Sequence, residues 1–331
     1  MGEKDDKIVK LCCVGCIGII VIVGAWGYIN QHFQPSENNQ RFQPSENPDK
    51  LIDNDHDGFS KYFEEKVMGT SDGVPNERYI ILSSSFGSFD KQNPSYDIAK
   101  VSFESAKNFA IKNHVAEKNI NIIMEATYNN FSHALKQTLK NANENDVIFI
   151  DIHSDSDKNG FSFIKENATM NKQYSVNSFY DFYEIVPYVK VAGLFNDNIK
   201  PKIIISNEGC SAGAFLDYVK NPNVTILAQV NADQTAMALD MLDFSLNSYG
   251  AKLSDRIMEY KTKYPNATAF KHINPDTNGN GGTSVGEAFD VSAVKIRSIW
   301  YDYANPDPRQ PMISNRELAD RTYLFETDSN L

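Results

Sequence analysis

The chain predicts an α/β fold on a mostly parallel central sheet, with an N-terminal membrane-spanning helix ahead of it. Two observations carry the sheet. Five short runs are continuously apolar instead of alternating, which fits strands covered on both faces. Apolar residues recur at helical spacing between them, and strand–helix alternation builds a parallel sheet. A third observation carries the leading helix: Leu11 to Ile29 holds 19 residues without a charge. The apolar share, 41%, is ordinary for a globular core. The net charge of −11 repels phosphate backbones and excludes nucleic acid as the main partner.

In chain order, residues 1–10 form a short N-terminal segment carrying Lys4, Lys7 and Lys10. Residues 11–29, LCCVGCIGIIVIVGAWGYI, follow. At about 1.5 Å per residue such a helix crosses a hydrocarbon core of roughly 30 Å. A cleaved signal peptide would have a shorter apolar core and a small-residue cleavage site, so an uncleaved anchor is expected. The lysines before the span, with none until Arg41 after it, put the N-terminus in the cytoplasm and the rest outside it. Residues 30–50 repeat FQPSEN at 33–38 and 42–47 and read as a flexible stalk.

Residues 51–70 hold the first chemical motif. Asp53 to Glu64, DNDHDGFSKYFE, fits D-x-D-x-D-G-x5-E. Such a loop surrounds calcium with carboxylates at positions 1, 3, 5 and 12 and a backbone carbonyl at position 7. The expected ligands are Asp53, Asp55, Asp57, the Phe59 carbonyl and Glu64. Ser60 stands at position 8, where a paired EF-hand usually carries an apolar residue. The stretch through FEEKVMGTSDG resembles the short calcium repeats of thrombospondin type 3 modules, and its expected role is structural.

The main domain spans 78–300. Strands are expected at RYIILSSS (78–85), INIIMEAT (120–127), DVIFIDIH (146–153), PKIIISNE (201–208) and NVTILAQV (223–230). The first helix carries Ile98, Val101, Ala106, Phe109 and Ala110 at nearly helical spacing. The second carries Phe131, Ala134, Leu135, Thr138 and Leu139. Further helices are expected at 212–219 and 254–263, and an aromatic one at SFYDFYEIVPYV (178–189).

Chemistry on parallel sheets gathers at the carboxyl ends of the strands. The third strand ends in His153 and the fourth in Glu208-Gly209-Cys210. Cys210 is the only cysteine beyond residue 16, so a disulfide scaffold is excluded. A thiol beside an imidazole suits nucleophilic attack on a carbonyl. His133 and His114 lie on helices, His56 occupies a non-ligand position of the acidic loop, His32 is in the stalk and His272 in a loop-rich region. His153 is the expected partner.

The segments IFIDIHSDSD and IIISNEGCSAG resemble the caspase–hemoglobinase group of cysteine peptidases, most closely the legumains. That group has one apolar strand ending in His-Gly and another ending in Glu-Ala-Cys or Gln-Ala-Cys. ATYNNFSHALKQTLKNANENDVIFIDIH and RYIILSSSFGSF add to the likeness, which covers about 78–265. The resemblance implies a caspase-like three-layer sandwich and a peptide or protein substrate. It makes Cys210 the nucleophile, His153 the acid–base group, and the N–H groups of Ser154 and Cys210 the oxyanion hole. It places Glu208 at the substrate pocket. The sequence departs from the group in three places. Ser154 replaces a Gly, Gly209 replaces an Ala, and the loop 86–98 offers only Lys91 for the basic residue that legumains place after the first strand.

The tail, 301–331, and the Gly-rich run NGNGGTSVGE (278–287) carry no expected function; the run lacks a phosphate-loop Lys and reads as a surface loop. The leading expectation is a membrane-anchored legumain-like cysteine endopeptidase. A transamidase using the same thioester and an inactive peptidase-fold binding module are the alternatives. A calcium-dependent adhesin has only Asp53–Glu64 behind it.

Overall fold

The computed structural model describes residues 48–88, 95–166, 168, 182–196, 198–236, 241–263, 265, 267–303 and 310–327. The expected anchor, residues 11–29, and nearly all of the stalk lie outside them. Among the described residues, no helix is long and apolar enough to cross a membrane.

The central sheet assembles from the continuously apolar runs. Its strands are β1 (Arg78–Ser84), β2 (Ile120–Ile123), β3 (Val147–His153), β6 (Lys202–Asn207), β7 (Val224–Ala228) and β8 (Met312–Ile313). Their order is β2-β1-β3-β6-β7-β8. All neighbours are parallel except β7 and β8. A separate antiparallel pair joins β4 (Gly160–Ile164) to β5 (Tyr183–Pro187).

Alternation along each strand divides the core between two faces. Ile80, Leu82, Phe149, Ile204 and Leu227 face one side. There they meet α1 (Ser95–Lys112), α4 (Met241–Asn247) and α6 (Val285–Tyr303). Ile81, Ile148, Ile150, Ile203, Ile205 and Ile226 face the other. There they meet α2 (Tyr128–Asn141), α3 (Tyr188–Ala192) and the β4–β5 pair. The fold is therefore an α/β sandwich around a mostly parallel sheet. Burying one such side chain contributes about 1.5–3 kcal/mol.

Local signals set the helix ends and faces. Thr127 caps α2 by accepting the Asn130 N–H at 3.2 Å. In α1 the inward residues include Ile98, Phe103, Ala106 and Ala110, while Val101 is 47% exposed, so Phe103 takes the place expected for Val101. Residues 212–217 form a 3-10 helix, and α5 (Asp255–Lys263) matches its expected position.

Two stretches differ from the sequence expectation. The second half of SFYDFYEIVPYV is strand β5, not a helix. Its pairing with β4 satisfies the backbone, and Pro187 ends the strand where α3 begins. The stretch 310–327, expected as tail, contributes β8 to the sheet edge and α7 (Arg316–Asp320) against α6.

Candidate active site and cation loop

The ladder between β3 and β6 pairs Ile152 with Asn207, and the Glu208 N–H reaches the Ile152 carbonyl at 3.2 Å. The same carboxyl rim therefore receives His153 from one strand and Glu208, Gly209 and Cys210 from its neighbour. Cys210 is a half-buried thiol, whereas Ser154 is 2% exposed and Glu208 is buried. His153 is 4% exposed, beneath the edges of Phe86 and Phe103 at ring distances of 5.3 and 6.4 Å.

Beside His153 lies a cavity of about 10 Å³, lined by Asp151, Glu208, Asp243, Ser102 and Phe103 among others. That is room for roughly one water. Glu208 Oε1 accepts the Leu242 N–H at 2.6 Å, which fixes its carboxylate against α4. Burial pushes the Asp151 carboxyl well above the usual carboxylate range, and the neighbouring Glu208 pushes it the same way. Burial likewise raises Asp243, against hydrogen bonds from Ser254 and Ser102.

The turns after β3 and β6 interlock. A Cβ on Gly209 would stand 2.0 Å from Ser156 Oγ and 2.8 Å from the Ser154 carbonyl oxygen. Ser156 Oγ donates to the Cys210 carbonyl at 2.5 Å. The Gly at 209, where the resemblance leads one to expect Ala, is thus required by close approach. Ser154 has no left-handed φ, so it carries no strain in place of Gly. The left-handed residue is instead Ser211, at φ 53°, whose N–H is held by the Gln234 carbonyl at 2.7 Å. Non-Gly residues in that region store roughly 1–3 kcal/mol and gather at functional sites. The two N–H groups expected to form an oxyanion hole belong to these interlocked turns. Lys91 lies outside the described residues.

The acidic loop brings its expected carboxylates together. Asp55, Asp57 and Glu64 place oxygens within 4.8 Å of one another, and so do Asp53, Asp55 and Asp72. Gly58, at φ 90°, donates its N–H to Asp53 Oδ2 at 3.0 Å. Phe59 donates its N–H to Asp57 Oδ1 at 2.8 Å, and its ring stacks on Phe63 at 5.6 Å. Asn76 Nδ2 donates to Glu64 Oε1 at 2.6 Å. Ser60 caps the helical segment at Lys61 by accepting the Phe63 N–H, and binds Glu326 with its own N–H and hydroxyl. That role explains a polar residue at position 8.

The loop fits a hard cation. Asp53 Oδ1, Asp55 Oδ2 and Glu64 Oε2 are buried without a hydrogen-bond partner, and Glu64 is 0% exposed. Burial, then Asp57 and Asp55, push the Glu64 carboxyl up to about 8. Asp55 is raised by burial and by Asp57. Carboxylates crowded together repel one another, and oxygen donors at this spacing suit calcium.

Asp72, Asn76, Asp151 and Asp243 are absent from the sequence-derived site. Asp151 was readable, because strand alternation puts it on the face of His153. Asp72 falls outside the twelve-residue spacing, and Asp243 sits in an apolar helix with no distinguishing pattern. No protein-family model matches the chain, and no curated protein matches it either.

Proposed function

We propose that the chain is a membrane-anchored cysteine endopeptidase of the caspase–hemoglobinase type, most like the legumains, with Cys210 as nucleophile and His153 as acid–base group. One observation carries the reading. A thiol and an imidazole come from adjacent parallel strands to one carboxyl rim, on turns locked together by Gly209 and the Ser156–Cys210 hydrogen bond. The α/β sandwich agrees with a caspase-like arrangement of layers.

In this reading the Cys210 thiolate attacks the scissile carbonyl carbon, and the carbonyl electron pair moves to oxygen. The Ser154 and Cys210 N–H groups face that oxyanion; such donors contribute about 3 kcal/mol each. His153 passes a proton to the departing amine as the C–N bond breaks, leaving a thioester. Water, deprotonated by His153, releases the acid and restores the thiol. An amine in place of water would make the protein a transamidase. Glu208 helps shape the pocket for the residue before the scissile bond. Calcium at Asp53, Asp55, Asp57, the Phe59 carbonyl and Glu64, with Asp72 beside them, would supply charge compensation that stiffens the start of the domain. The anchor at 11–29 would hold the domain outside the cytoplasm.

A second reading, an inactive peptidase-fold binding module, is favoured by a different observation. His153 is covered by Phe86 and Phe103, and its cavity admits about one water. A substrate side chain needs that cavity to open.

The test is covalent labelling with a peptidyl acyloxymethyl ketone, followed by mass spectrometry. Labelling at Cys210, much faster than an ordinary thiol and lost in Cys210→Ala and His153→Ala, is the expected result. Labelling no faster than that of a simple thiol in folded protein overturns the peptidase reading.

A further inference from the structure

The Gly-rich run has a second pattern within it. Asp276 to Glu287 reads DTNGNGGTSVGE, with Asp at position 1, Asn at 3 and 5, Gly at 6 and Glu at 12. This fits D-x-[DN]-x-[DN]-G-x5-E at every specified position, as Asp53–Glu64 does.

The two loops share a fold. Gly281 and Gly58 both have φ 90°. Gly281 donates its N–H to Asp276 Oδ2 at 3.0 Å, as Gly58 does to Asp53 Oδ2 at 3.0 Å. Gly282 donates to Asn280 Oδ1 at 2.9 Å, as Phe59 does to Asp57 Oδ1 at 2.8 Å. Glu287 stands in the first turn of α6, 3% exposed, as Glu64 stands in the helical segment after the first loop.

The loops also touch. A Cβ on Gly282 would lie 2.7 Å from the Phe63 ring. Asn280 Nδ2 donates to the Tyr323 hydroxyl at 3.0 Å, and Tyr323 meets Phe63 edge-on at 5.5 Å. Asx turns of this kind occur without an ion, so the geometry alone does not require one. What points to an ion lies across this contact. Glu64, the neighbour of Phe63, is 0% exposed and holds a carboxylate oxygen with no hydrogen-bond partner. The fully buried Thr283 hydroxyl also has none.

We propose that residues 276–287 are a second calcium loop, paired with the first across Gly282 and Phe63. This rests on the reading of Asp53–Glu64 as a calcium loop. Its ligands are Asp276, Asn278, Asn280, the Gly282 carbonyl and Glu287. It has two carboxylates where the first loop has four, and affinity follows ligand charge. Glu287 must also exchange hydrogen bonds on both oxygens for the ion: Oε1 accepts from the Thr277 N–H and hydroxyl at 3.0 Å each and the Asn278 N–H at 3.2 Å, and Oε2 from the Ser284 N–H and hydroxyl at 2.9 and 3.0 Å. The second loop is therefore the weaker of the pair.

The test is calorimetric titration of the metal-free full chain, in detergent, with calcium chloride. Wild type should bind two ions, one more tightly. Asp276→Asn keeps an acceptor for the Gly281 N–H but removes the charge. It should lose the weaker ion, a drop of roughly tenfold or more in that affinity. Asp53→Asn should lose the tighter one. If Asp276→Asn misfolds, Asn278→Ala, at an exposed position, gives the same readout. One ion in wild type, kept by Asp276→Asn and lost by Asp53→Asn, overturns the second loop and leaves the first. Two ions retained by Asp276→Asn also overturn it. One ion lost in Asp276→Asn and kept in Asp53→Asn supports the second loop and removes the first. No binding removes both.

Discussion

Gly209→Ala tests the interlocked turns directly. The new methyl would meet Ser156 Oγ at 2.0 Å and the Ser154 carbonyl oxygen at 2.8 Å. The Ser154 oxygen is backbone and cannot swing away. Ser156 Oγ can rotate, but only by releasing the Cys210 carbonyl. Losing that hydrogen bond costs about 1 kcal/mol, and overpacking adds about 1–3. The expected loss of stability is therefore about 2–4 kcal/mol. Urea unfolding followed by circular dichroism measures it. The decisive comparison is a cycle with Ser156→Ala, which removes the closest clashing atom. In that background the alanine should destabilise less, by about 1 kcal/mol or more. Additive effects, or a Gly209→Ala protein as stable as wild type, would show that the two turns do not interlock as described.

The Glu64 carboxyl, pushed up to about 8, makes metal-free stability depend on pH. A folded value above the ordinary 4.5 means the native state holds the proton more tightly than the unfolded chain. This contribution is complete below about 4.5 and is lost as pH rises toward 8. In chelator, the melting temperature should fall across that window, and saturating calcium should abolish the fall. A flat or rising profile in chelator would contradict it. Arg78→Met addresses a different junction. The Arg78 guanidinium is buried, stacks over Phe59 at 4.4 Å, and donates to the carbonyls of Asp57 and Leu324. Stranding both carbonyls should cost about 2–4 kcal/mol after the relief of removing a buried charge. A urea titration showing less than about 1 kcal/mol would refute that bridge.

The parallel strands were legible because β1, β3, β6 and β7 are buried on both faces and run mostly apolar, with Asp151 as an acidic residue inside β3. β3 reads VIFIDIH and β6 KIIISN, and both lie close to where their apolar runs predicted. The β4–β5 pair was not legible. Tyr183–Pro187 is short, and its aromatic neighbours imitate helical spacing; only the partner strand Gly160–Ile164 decides. β8 has two residues and gains its identity from pairing with β7. At the site, Cys210 and His153 stood out because strand ends are where parallel sheets expose polar groups. The close approach at Gly209 was hidden, because the turn that crowds it, at Ser156, lies far earlier in the chain. At 276–287, Asn stands at the two positions where Asp53–Glu64 carries Asp55 and Asp57, so the run reads as Gly-rich more than acidic.

The Arg78 bridge ties the amino end of β1 to Asp57 on one side and Leu324 on the other. The first and last described stretches of the domain thus share one anchorage point. β1 runs for seven residues from that point toward the rim that bears Cys210. At about 3.3 Å per residue, some 20 Å of sheet lie between them. Mechanical load applied through either stretch enters at the edge opposite the thiol. A pull on either stretch would strain the acidic loop at Asp57 before it reached the rim that bears Cys210.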